Sequence, residues 1–113
     1  MQSNLRLQFL SVSLLLLPLI CAGLGGWQPI KNLNDPHLLE IARFAVSEFN
    51  KQSKMNLTLD GILKGEKQIV SGVNYRLNLA VEDGSQRKLY EAIVWEKDGE
   101  SFKKLISFKP IDD

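Results

Sequence analysis

One stretch of this chain has the period of a helix, and everything after Asn56 has the period of a strand. Asn34-Asp35-Pro36 opens the helical stretch, with an Asx residue at the cap and proline at the first helical position, where a missing N–H costs nothing. From there Leu38, Ile41, Ala42, Ala45, Val46 and Phe49 recur on one face, while Arg43, Ser47, Glu48, Lys51 and Gln52 fall mostly on the other. The pattern fades near Ser53, which predicts a helix of about 18 residues, or ~27 Å at ~1.5 Å per residue. Lys51 and Lys54 suit the negative end of its dipole.

Beyond the helix, Val73, Tyr75, Leu77, Leu79 and Val81 alternate with Asn74, Arg76, Asn78 and Ala80, as in a half-buried antiparallel strand. Asp83-Gly84 follows, a two-residue hairpin sequence. Residues 88–96 are apolar on both faces, which predicts a central strand, and Asp98-Gly99 then turns the chain toward Phe102, Leu105, Ile106 and Phe108. Residues 57–68 read as a further strand, in which Gly61 and Gly65 mark a bulge or bend and Asp60-Gly61 is no turn. Strands of about nine residues reach ~30 Å, the length of the helix. The expected fold is α+β: one long helix packed across a four- to five-stranded antiparallel sheet.

The first 23 residues stand apart. Arg6 is their single charge, Leu14-Leu15-Leu16-Leu17 their apolar centre, and Cys21, Ala22 and Gly23 their small-residue end. Those three features predict a secretory signal peptide over 1–23, followed by one domain over 24–113. Interrupted by Pro18, the apolar run is short for a membrane span of ~20 residues, so cleavage is expected over the rival reading, a retained anchor, and no membrane attachment after it. Removing it takes away Arg6 and Cys21, leaving 13 basic residues against 13 acidic and no cysteine. A domain of about 90 residues without disulfides depends on its apolar core alone. In the secretory pathway Asn56-Leu57-Thr58 becomes a glycosylation sequon, which makes Asn56 a candidate glycan site and the product a secreted, apoplastic or vacuolar protein.

The composition argues against several kinds of chemistry. A balanced charge gives no basic face for nucleic acid. His37, at the helix start, has no nucleophile beside it and reads as a surface residue. Glu82-Asp83 and Asp112-Asp113 read as solvated charge at a turn and a terminus. The His and Cys content supports no metal site, Gly25-Gly26 is followed by no phosphate-binding lysine, and no cofactor is expected. No catalytic residues are assigned. What remains is an exposed-looking set: Gly25-Gly26 near the start of the processed chain, and Gln68-Ile69-Val70-Ser71-Gly72 between two strands. Ile69 and Val70 there are either strand ends or a contact surface, and Gly72 either a turn dihedral or part of that surface.

Several of these segments resemble those of the plant cystatins, inhibitors of papain-like cysteine proteases. Residues 41–50, IARFAVSEFN, resemble the family's helix motif, and Gln68-Ile69-Val70-Ser71-Gly72 resembles its Gln-x-Val-x-Gly loop. Gly25-Gly26-Trp27 is similar to the family's glycine-bearing N-terminus, and Leu89-Tyr90-Glu91-Ala92, Val94-Trp95 and Phe108-Lys109-Pro110 to its last strands. The resemblance implies a non-enzymatic, reversible, competitive inhibitor that enters a protease cleft as a wedge. Leu24, Gly25 and Gly26 would lie before the scissile position, Gln68 to Gly72 beside the catalytic cysteine, and Asp98-Gly99 in a second loop. Where the family usually has Pro-Trp, this chain has Asp98-Gly99, a better hairpin former and a worse wedge. That departure implies reliance on the N-terminus and first loop, with reduced or shifted selectivity. A non-inhibitory binding or storage protein with a decayed second loop is the alternative expectation. The protein is expected to be mostly a monomer, with strand exchange through a strained first loop as the route to a swapped dimer.

Overall fold

The computed structural model describes residues 26–97 and 102–112. The expected signal segment, together with Leu24, Gly25, Asp98 and Gly99, lies outside them. In chain order the elements are β1 (Gln28–Pro29), α1 (Pro36–Ser53), β2 (Thr58–Val70), β3 (Gly72–Asp83), β4 (Gln86–Glu96) and β5 (Lys103–Pro110). The five strands form one sheet in the order β1-β2-β3-β4-β5, and each neighbouring pair is antiparallel.

α1 is 18 residues long, as the spacing predicts. Asp35 Oδ2 accepts from the Leu38 N–H at 3.1 Å, satisfying one of the donors a helix start leaves open. Lys54 ends the helix in a left-handed conformation at φ 58°. Asn50 then fixes the exit. Its Nδ2 donates to the Leu57 carbonyl at 3.0 Å and its Oδ1 accepts from the Leu57 N–H at 2.9 Å, which turns the chain into β2.

The helix lies on one face of the sheet. Leu38, Ile41, Ala42, Ala45 and Val46 pack against Leu77, Leu79 and Val81 of β3 and Tyr90, Ala92 and Val94 of β4. At the far end Phe49 stacks on Phe108, with ring centroids 4.2 Å apart, and Tyr90 lies 4.8 Å from Phe108. β4 is central, as expected, but its two faces differ: Tyr90, Ala92 and Val94 are buried, whereas Leu89, Glu91, Ile93 and Trp95 are only half-buried. The reason is that one helix covers one face, so the other keeps its water.

Gly61 sits at a break in the β2–β3 register between Leu59 and Gly61, so Asp60-Gly61 is a strand irregularity and not a turn, as expected. Gly65 does something else. A Cβ there would lie 3.3 Å from both Leu33 and Leu77, so its bareness lets the segment ahead of the helix rest on the sheet. The first hairpin signal needs a one-residue correction. Asp83 pairs with Gln86, so the two loop residues are Gly84 and Ser85. The positive φ, 65°, falls on Gly84. A turn needing φ > 0 at its first loop position places glycine there and keeps Asp83 in the ladder.

Candidate functional site

The register brings three separated segments to one end of the sheet. β2 and β3 join there, with Ile69 opposite Val73, Val70 opposite Gly72, and Ser71 alone at the apex. Val73 is opposite Glu96, and Glu96 opposite Lys103, so the β4–β5 connection leaves from the same end. Gln28 is opposite Lys67 in an antiparallel pair, so the chain running back to Gly26 heads along β2 toward Val70. Gly26 and the segment Gln68 to Gly72 are thereby brought together, while Leu24, Gly25, Asp98 and Gly99 are not described.

The N-terminal segment is held by more than two ladder residues. The Ile30 N–H donates to the Gly65 carbonyl at 2.8 Å. The Trp27 ring lies 4.2 Å from the Arg76 guanidinium carbon, and that guanidinium also bonds Glu66 Oε1 at 2.9 Å. A cation over a Trp face is worth ~0.5–1 kcal/mol at an exposed site. Gly26, next along, is exposed, and a Cβ placed on it would meet nothing within 4 Å.

The first loop is tighter. Asn74 Nδ2 donates to Gln68 Oε1 at 3.2 Å, tying Gln68 to the opposite strand. Gly72 has φ 97°, and a Cβ there would run into the Glu96 carbonyl oxygen and come within 2.9 Å of Trp95 Nε1. Only glycine meets both demands. Trp95 Nε1 in turn donates to the Ser71 carbonyl at 2.8 Å, which satisfies the apex of the loop from β4. This indole hydrogen bond escapes sequence reading, since β3 separates the two residues; the one available cue is an aromatic directly ahead of the next turn. Ile69 and Val70 are strand ends, each paired to β3, and both are exposed, at 49% and 40%.

Behind the loop, the helix start is tied to the sheet. His37 Nε2 lies 2.7 Å from Glu96 Oε1, and the same oxygen accepts from the Tyr75 hydroxyl at 3.5 Å. Burial first, and the Glu96 charge second, push the Tyr75 phenol up to about 12. His37 is partly exposed but fully engaged: its Nδ1 lies 3.5 Å from Glu40. These contacts fasten the start of α1 to β3 and β4. Among the described residues, no group of three or more His, Cys, Asp or Glu is placed to hold a metal. Asn56 is exposed in the α1–β2 connection, at the opposite end of β2 from Val70.

A family model described as "SQAPI: Aspartic acid proteinase inhibitor" matches residues 30–111. Among similar sequences, "Cysteine proteinase inhibitor 5" of Arabidopsis thaliana is 47% identical over 111 residues, covering 95% of this chain and 91% of that protein. "Cysteine proteinase inhibitor 1" of Actinidia chinensis var. chinensis is 45% identical over 87 residues, 77% of this chain and 75% of that protein. Among solved structures, the salivary cystatin of the soft tick Ornithodoros moubata superposes with a TM-score of 0.68 at 20% identity, over 78% of this chain and 98% of that one. That identity speaks to fold alone.

Proposed function

Since the chain belongs to the plant cysteine proteinase inhibitors, the phytocystatins, and is therefore a protease inhibitor and not an enzyme, we propose that it inhibits papain-like cysteine proteases by wedging the Gly26 end of the sheet into their cleft. The observation that carries this reading is the hairpin at Gln68 to Gly72. It presents Ile69 and Val70 to solvent while Gly72 and the Trp95 indole hold its apex. A hairpin fixed in advance loses little freedom on docking, so modest contacts give tight binding. Leu24, Gly25 and Gly26 would enter the cleft beside it, and Asp98 and Gly99 would supply a second contact. A ladder-held hairpin offers no peptide bond for attack, so inhibition is competitive and reversible. We further infer that residues 1–23 direct the chain into the secretory pathway.

The description of the matching family model favours aspartic proteases as targets, whereas the names of the similar plant proteins favour cysteine proteases. Identity of 45–47% to the latter is the more specific guide. Titration against papain and pepsin in parallel decides between them. The expected result is stoichiometric loss of papain activity with pepsin untouched; the reverse moves the target to aspartic proteases. Loss of neither selects a non-inhibitory protein on this scaffold. Deleting Leu24 to Gly26, and separately Val70→Asp, should each raise the papain inhibition constant by about tenfold or more, equivalent to ~1.4 kcal/mol.

A further inference from the structure

Five large apolar side chains are exposed among the described residues: Leu63, Ile69, Val70, Phe102 and Ile106. Leu63 and Ile106 stand at register irregularities within β2 and β5, and single exposed apolar residues need no explanation. The other three share one end of the sheet. Phe102 is the most exposed of the five, at 56%, and it directly precedes β5. Its carbonyl accepts from the Lys97 N–H at 3.0 Å, which anchors the backbone on the far side of the turn. Its ring meets Trp95 edge-on, with centroids 6.1 Å apart and planes at 71°. Trp95 is the residue whose indole also bonds Ser71. One aromatic side chain thus fixes the position of Phe102 relative to the loop that carries Ile69 and Val70.

We propose that Phe102 is the apolar contact through which the second loop engages the protease, taking the part that the usual aromatic of that loop would have at Asp98-Gly99. The proposal rests on the inhibitor reading above and adds a residue to its contact surface. Between β4 and β5 the sequence is Lys97-Asp98-Gly99-Glu100-Ser101-Phe102, so Phe102 is the one large apolar side chain available there. A phenyl ring left largely in water gains by transfer to an apolar wall, and one already seated against Trp95 has little rotamer freedom to lose on docking. Its burial beside Val70 would join two apolar contacts into one patch, the arrangement in which a few residues carry most of an interface's energy.

The test uses the full mature chain, papain, and the variants Phe102→Ala, Phe102→Lys and Phe102→Trp. Phe102→Ala should raise the inhibition constant about tenfold or more, Phe102→Lys should raise it further, and Phe102→Trp should match or better the wild type. Melting temperatures should stay within a few degrees, because more than half of the residue is already exposed. A second measurement needs no variant: hydroxyl-radical footprinting of the wild-type chain, read by mass spectrometry, should show Phe102 protected in the papain complex and labelled in the free protein. Equal inhibition by wild type, Phe102→Ala and Phe102→Lys overturns the proposal alone, as does unprotected Phe102 in the complex. A wild-type chain that leaves papain untouched overturns the inhibitor reading as well.

Discussion

Gly72 shows how little a single position can be free to vary. Its φ of 97° disfavours any side chain, and the space a Cβ would take is filled by the Glu96 carbonyl and the Trp95 ring. Gly26 differs, since its surroundings are open, and Gly84 differs again, with φ 65° but no close neighbour. Gly72→Ala must therefore either strain the backbone or displace Trp95, and displacing Trp95 breaks its bond to Ser71. The expected cost is about 2 kcal/mol or more in urea unfolding. Weaker papain inhibition should accompany it; the same substitution at Gly26 should leave stability unchanged. A Gly72→Ala protein as stable as the wild type would mean that the loop is not held this way.

Between elements, the junction of α1 with β3 and β4 depends on Glu96. It receives His37 from the helix and the Tyr75 hydroxyl from β3, while Glu40 reaches across to Lys103 of β5 at 3.4 Å. Burial and the Glu96 charge favour the neutral phenol, raising Tyr75 from 10.0 to about 12. A folded-state value above the unfolded one contributes stability that is complete below about pH 10 and is lost as pH rises toward about pH 12. Melting temperatures followed from about pH 9 to about pH 12 should fall more steeply for the wild type than for Tyr75→Phe, which has no proton to lose. Parallel curves would remove Tyr75 from the account. The junction lies behind the first loop, so its loosening should be felt there too.

On the scale of the molecule, β2 separates its two ends. Its 13 residues run from Thr58, the last residue of the sequon, to Val70 at the loop. At ~3.3 Å per residue that is ~40 Å, so a glycan on Asn56 would project away from a bound protease. Protein made in a secretory host with Asn56 glycosylated and the Asn56→Gln form should inhibit papain equally. A marked gain on removing the glycan would mean that it reaches the contact end.

The sequence by itself determined the elements. Asp35-Pro36 started α1, the spacing from Leu38 to Phe49 set its buried face, and strict alternation set β3, because these signals are local and each residue carries its own preference. It also marked Gln68 to Gly72 by resemblance. Where it slipped, by one residue at Gly84-Ser85 and over the outer face of β4, the answer depended on pairing register and on how many helices cover the sheet. Only the tertiary structure decided that Trp95 would reach across to Ser71 while seating Phe102, since β3 separates β2 from β4 and no period in the chain encodes that distance. Local preference is written along the chain; the shape of the contact edge follows from which strand ends the sheet brings together.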